Sequence, residues 1–253
     1  MFRHYRTQGF ILKKTDRGEA DRIFTIYTKD FGKLEILAKA ERKIKSKLKG
    51  GLELFYLSEI EFIQGKTHKT LTDAILIENF PILRKDLERL PIAYRISEVL
   101  DNLIKGQEAD EKIWNLLNEI FNKLNSLEIR LQPTRHPPES HLLKLEILYY
   151  YFLWNLLSIL GYQPELYNCS LCQKKLLPEK LYFNPKEGGI ICQSCFRKTK
   201  SGEKIESEII KILRIILEKN WQTLSKLKIE PNYLKSLNSI AESYLSHVLE
   251  GVK

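Results

Sequence analysis

The sequence predicts a chain in two parts, a five-stranded β-barrel of the OB type followed by a mainly α-helical domain with an embedded four-cysteine zinc ribbon. Three observations carry this. Residues 7–77 alternate apolar and polar side chains, the mark of strands with one buried face. From residue 80 the apolar spacing lengthens to a period of about 3.6, that of an amphipathic helix. All four cysteines of the 253-residue chain lie between Asn168 and Phe196, as two Cys-x-x-Cys pairs. The expected division is 1–79 for the barrel and 80–253 for the helical domain, with the cysteine module at about 165–200.

The five expected strands are GFILKK, DRIFTIYT, KLEILAK, LELFYLSEIEFI and TLTDAILI. Ile60 and Phe62 alternate with Glu59 and Glu61, and Leu34, Ile36 and Ala38 share one face. Turn signals at Arg17-Gly18, Phe31-Gly32-Lys33, Gly50-Gly51 and Gln64-Gly65 separate the runs. The fourth run is long enough to bend across two sheets, which fits a small closed barrel; an SH3-like barrel explains the strand count almost as well.

The formal net charge of +9 is concentrated at one end: residues 1–50 hold 14 Lys and Arg against 6 Asp and Glu, and the remaining residues 27 against 26. Such a field attracts a polyanion, and nucleic acid is the commonest one in a cell; a solvated lysine-rich loop is the plain alternative. Between the third and fourth strands, AKAERKIKSKLKGG interleaves Arg42, Lys43, Lys45, Lys47 and Lys49 with small or apolar residues. In an OB barrel this connection lies beside the binding face, where cations can follow a phosphate backbone. With Arg22 and Lys39 these residues form the expected nucleic-acid contacts. Phe10, Phe24, Tyr27, Phe31, Phe55, Tyr56 and Phe62 interleave with the charge, but strand aromatics in a small barrel usually fill its interior.

After Pro81 the expected helices are LRKDLERL, IAYRISEVLDNLIKG with Pro91 near its start, and DEKIWNLLNEIFNKLNSL, in which Ile113, Leu116, Leu117, Ile120, Phe121 and Leu124 trace one apolar stripe. A proline-rich break, PTRHPPES, precedes the most apolar helix, from about Ser140 to Leu160, which Gly161 ends. EKIESEIIKILRIILEK and a last helix from about Pro231 to Glu250 close the chain. The longest unbroken apolar run, Ile147–Trp154, is too short to span a bilayer, and MFRHYRTQGF has no apolar signal core. The expected address is the cytoplasm, with no membrane partner.

A 19-residue spacer separates Cys169 and Cys172 from Cys192 and Cys195, within the range of four-thiolate zinc sites. One Zn²⁺ so held has no open coordination position, so it fixes a fold rather than activating water. Pro185 and Gly188-Gly189 punctuate an expected hairpin of Leu181–Phe183 and Ile190–Ile191. Two structural disulfides or a redox pair are the alternatives. The first requires an oxidising compartment, and the second would stand once beside a βαβ pattern. Phosphate-binding glycine loops, a Gly-x-Ser-x-Gly elbow and a His-Glu-x-x-His motif are all missing from the sequence, and the five histidines are scattered. No catalytic residues, and no enzyme, are expected.

The run RGEADRIFTIYTKDFGKLEILAKAERKIKSK resembles the Gly-Glu-x-Asp-x-Ile stretch, Thr-x-x-x-Gly-Lys turn and basic segment of the RecO family of bacterial recombination mediators. LGYQPELYNCSLC and YFNPKEGGIICQSC resemble that family's Leu-Gly-Tyr-x-Pro lead-in to the zinc site and its Phe-x-Pro-x-x-Gly-Gly exit. Residues 80–140 match only in character. One departure is Ala40, where the family often has glycine. The resemblance implies an OB domain, a helical domain and a zinc module. It implies binding of single- and double-stranded DNA, annealing of complementary strands, and action with RecR, in some members with RecF, to help RecA displace single-stranded DNA-binding protein. It also implies binding of that protein's acidic C-terminal tail by the helical domain, no ATP hydrolysis, and a place at the nucleoid. The reading from another class is a zinc-ribbon scaffold that binds RNA or recruits proteins without annealing.

Overall fold

The computed structural model describes residues 3–127 and 139–252; the proline-rich break lies outside them except for its last two residues, Glu139 and Ser140. Strands β1 (His4–Arg17), β2 (Asp21–Thr28), β3 (Gly32–Ala38), β4 (Leu57–Gln64) and β5 (Lys69–Glu78) close into a barrel in the order β1-β2-β3-β5-β4. Neighbours are antiparallel except β3 and β5, which meet in parallel at Ile36–Lys69 and Leu37–Thr70. That is the OB arrangement. Ile11, Phe24, Ile26, Leu34, Ile36, Leu52, Ile60, Phe62 and Leu71 fill the interior, and the alternation read from sequence is the pleat that points them there.

The strand that bends between sheet neighbours is β1, not the fourth. It pairs with β4 over His4–Phe10 and with β2 over Gly9–Arg17, and a bulge between Ile11 and Lys13 supplies the turn. The expected fourth strand loses its first residues: a 3₁₀ helix occupies Lys47–Gly51, and Phe55 adopts the left-handed conformation at φ 64 before β4 begins.

Phe10, Ile11 and Leu12 are buried in succession because β1 is covered on both faces. Ile11 points into the barrel. On the outside the chain continues in helices α1 (Pro81–Lys85), α2 (Arg89–Leu103) and α3 (Glu111–Ser126), and Phe10 meets α3, its ring 5.0 Å from Phe121 and 5.2 Å from Trp114. Phe80 and Phe55 join this aromatic layer at 5.6 and 6.1 Å from Phe121. Asp110 caps α3 by accepting from the amides of Lys112 and Ile113. The other end of α3 is capped by a buried cation: the Arg89 guanidinium donates to the carbonyls of Leu124 and Leu127 while Asp86, at 3.0 Å, balances its charge. Gly32, at φ 61, lies so close to the Glu108 backbone that a Cβ would collide with it. Residues 1–128 thus form one compact unit and residues 129–253 a second.

In the second unit, α4 (Glu139–Ile159) packs with helices from later in the chain. Its stretch Leu142–Ile159 is long and apolar enough to cross a membrane, more than the unbroken run Ile147–Trp154 suggests, but 67% of it is buried inside the protein. Gly161, at φ 90, ends the helix, with the Tyr162 amide donating to Leu157 at 2.8 Å. Then follow β6 (Leu181–Asn184), β7 (Gly189–Cys192), α5 (Gln193–Thr199) and β8 (Glu203–Ile205), a small sheet in the order β7-β6-β8. The run expected as one helix from Glu203 divides into β8 and α6 (Ser207–Leu217); α7 (Trp221–Leu224) and α8 (Pro231–Val252) complete the unit. Buried Asn155 on α4 donates to the Tyr151 and Ile216 carbonyls, tying α4 to α6.

Candidate metal centre and basic loop

Cys169 and Cys172 sit on a tight turn. The Gln173 amide donates to the Cys169 carbonyl and the Cys169 amide to that of Lys174, both at 2.8 Å, with Gln173 left-handed at φ 59. Cys192 ends β7 and Cys195 lies in the first turn of α5. The turns bring all four sulfurs within 4.8 Å of one another, with Cys172 and Cys192 at 3.9 Å, and none is in a disulfide. Four sulfurs around one zinc ion at its usual bond length stand about 3.8 Å apart, so the cluster fits a tetrahedral metal.

Burial works to raise the Cys169 thiol, but the amides of Cys172, Cys192 and Leu171 outweigh it and hold this thiol down at about 6. Burial and the three neighbouring sulfurs push Cys195 up to about 12. One thiolate is therefore stabilised by the backbone and a fourth is opposed by its neighbours. A bound cation reverses that opposition. Gly189 is required here, because a Cβ would collide with the Glu165 backbone, and through this approach the Ile190 amide donates to the Glu165 carbonyl at 2.9 Å. Tyr182 and Phe196 stack beside the sulfurs at 3.6 Å. Phe183, next along β6, points the other way and meets Trp154 of α4 and Tyr244 of α8. The module is joined to the helices through that ring cluster.

In the first unit the loop from Lys39 to Gly51 is anchored by its arginines. Arg22 donates to Asp16 at 2.7 Å and to buried Glu41 at 3.1 Å, and its hydrogen bond holds the Asp16 carboxyl below the usual range. Arg42 donates to the Gly18 carbonyl at 3.2 Å and stands 3.5 Å from Asp16. Half-buried Lys49 donates back to the Arg42 carbonyl at 3.2 Å. Lys39, Lys43, Lys45 and Lys47 are exposed, and among the described residues no carboxylate pairs with them. The seven expected contacts thus divide into three residues with partners in the loop's own frame and four open to solvent. Phe10, Phe24, Tyr27, Phe55 and Phe62 are buried, and Phe31 and Tyr56 pack half-buried against the barrel core.

Two features escaped the sequence reading. Ile44, at the tip of the basic loop, is 96% exposed. In the second unit, Leu143, Ile147, Trp221 and Leu224 line a pocket of ≈ 610 Å³ together with exposed Lys144, Lys226 and Lys228. Its wall comes from residues 143–147 and 221–229, too far apart in sequence for any local pattern to join them.

A closed OB barrel followed by a helical unit with a four-sulfur site built into it defines a two-part protein, a β-barrel unit and a helical unit that carries a small sulfur-rich sheet. Family models match both parts: residues 1–80 match Recombination protein O N terminal, and residues 84–253 match Recombination protein O C terminal. The chain belongs to the RecO family. It is 34% identical over 246 residues to the DNA repair protein RecO of Dehalococcoides mccartyi, covering 97% of this chain and 91% of that one. It is 30% identical to the protein of the same name from Acetivibrio thermocellus, covering 98% and 92%, and 29% identical to that of a Roseiflexus species, covering 98% and 82%.

Proposed function

We propose that this protein is a recombination mediator that binds single- and double-stranded DNA through the basic loop of its barrel and anneals complementary strands. With RecR, and with RecF where that protein takes part, it helps load RecA onto DNA coated by single-stranded DNA-binding protein. Membership of the RecO family supports the reading, and the observation that carries it is the row of exposed Lys39, Lys43, Lys45 and Lys47, without a carboxylate partner among the described residues, on an OB barrel. Each such cation displaces a small counterion from a phosphate, which lowers the repulsion between two approaching strands. No covalent bond forms or breaks, so the process needs no catalytic residue.

Zn²⁺ is the ion proposed for Cys169, Cys172, Cys192 and Cys195, since a closed four-thiolate set is the usual structural zinc site. When bound it cross-links the two Cys-x-x-Cys turns. The protein side of that role is the Phe183, Trp154 and Tyr244 cluster, which passes the module's rigidity to the helices. The acidic C-terminal tail of single-stranded DNA-binding protein is assigned to the helical unit, and the apolar pocket with Lys144, Lys226 and Lys228 supports a seat for it there. The proposed location is the cytoplasm, at the nucleoid.

The test is annealing of complementary oligonucleotides coated with the cognate single-stranded DNA-binding protein, without nucleotide, over a salt series. Acceleration that fades with salt is expected. Binding to naked DNA without acceleration would replace mediation with the RNA-binding or protein-recruiting scaffold, which comparison of DNA and RNA of one sequence then examines.

A further inference from the structure

We propose that Ile44 is an apolar wedge that the basic loop inserts between stacked bases of duplex nucleic acid. The inference rests on the nucleic-acid reading above and assigns the loop's tip a task distinct from charge neutralisation.

Ile44 and Lys45 are the two central residues of a turn closed by the Ser46 amide donating to the Lys43 carbonyl at 3.0 Å. Turn centres normally hold glycine, proline, asparagine, aspartate or serine. Here a β-branched aliphatic stands instead, and it is the most exposed large hydrophobic residue among those described, at 96%. The platform beneath it is braced. A preceding turn is closed by the Lys43 amide on the Ala40 carbonyl at 3.1 Å, Arg42 and Lys49 are tied down as described, and Leu48 packs against the barrel core. A wedge needs such support, since a free loop would fold its apolar tip onto the protein.

The neighbouring charge selects the partner. Lys43 and Lys45 flank Ile44 directly, Lys39 and Lys47 stand beyond them, and all four are unpaired among the described residues. Exposed Ile75 and Ile77 on β5 lie between Asp73 and Glu78, which repel phosphate. An aliphatic side chain aimed between base pairs, with cations placed for the phosphates on either side, is the arrangement by which side-chain wedges unstack a base step and recover the cost through backbone contacts. A single aliphatic residue anchors poorly to a lipid surface, which favours the nucleic acid.

The experiment uses the full-length protein and DNA carrying 2-aminopurine, whose fluorescence rises on unstacking, as a duplex and as the matching single strand. Wild type at saturation is expected to raise the duplex signal. Ile44→Ala should abolish that rise while single-strand affinity stays within about twofold and the melting temperature is unchanged. Ile44→Leu should keep the rise. A wild-type rise in Ile44→Ala, or duplex saturated by wild type without any rise, overturns the wedge and leaves the DNA reading standing. Failure of wild type to bind either DNA overturns both. Anionic vesicle binding that disappears in Ile44→Ala, with its duplex signal intact, would assign the tip to lipid instead.

Discussion

The backbone amide of Ala40 donates to the Asp21 carboxylate at 2.7 Å while Ala40 itself lies at φ 54, in the left-handed region that a methyl group disfavours. The bond from β2 fixes the second residue of the basic loop, and the side chain resists the geometry it imposes. Ala40→Gly is therefore expected to stabilise the protein, by up to about 1 kcal/mol after the greater freedom of glycine in the unfolded chain is set against the relieved strain. Thermal melting measures it, and an unchanged or lower midpoint would contradict the strain.

The loop's cations should separate into two behaviours. Replacing Lys43, Lys45 and Lys47 together by alanine should lower the salt dependence of single-strand binding by about 2 in log–log slope while leaving the melting temperature unchanged. Arg22→Ala should do the reverse: it strands buried Glu41 without its partner, at a cost of about 2–3 kcal/mol. Affinity across a salt series, paired with melting curves, distinguishes the two.

Removal of one sulfur should release the metal. Cys169→Ser is expected to lose one zinc per chain by elemental analysis and to open residues 165–200 to protease, because Cys169 lies at the centre of the module's small core. Full metal content with an intact cleavage pattern would refute a four-sulfur structural site.

Acid sensitivity should trace partly to Asp101. Burial works to raise its carboxyl, but hydrogen bonds from Lys33 at 3.0 Å and Lys13 at 3.2 Å outweigh it, and the net shift is downward from 3.8. A carboxylate whose folded value is depressed contributes stability above its unfolded value and loses that contribution as pH falls through the folded one. Asp101→Asn should thus melt earlier than wild type at neutral pH, and the two curves should converge below about pH 4. A gap that stays constant down to pH 2.5 would assign Asp101 a role other than charge.

What was legible in the sequence was local. Period-two alternation placed the barrel strands, and the two Cys-x-x-Cys pairs named a cluster that the structure gathers within 4.8 Å. What stayed hidden depends on partners distant in sequence. LELFYLSEIEFI has strand-forming residues throughout, yet its first residues turn because the Phe55 amide bonds the Ile11 carbonyl at 2.8 Å, across the bulge in β1. Arg22 read as a free cation because Glu41, 19 positions away, gives no local sign of pairing with it. β8 is three residues long, below the length at which alternation can be recognised.

The aromatic layer around Phe10 has a consequence for how the protein can be divided. The two family models part between residues 80 and 84, but Phe10, Phe55 and Phe80 lean on Phe121, and Gly32 presses on the backbone of Glu108. A fragment ending at residue 79 would present the rings of Phe10 and Phe55 to water as a sticky face and invite precipitation. One ending at residue 127 carries its own cover. The smallest piece that keeps the barrel's outer aromatic layer covered is thus half the chain, ending well past β5, the last strand of the barrel.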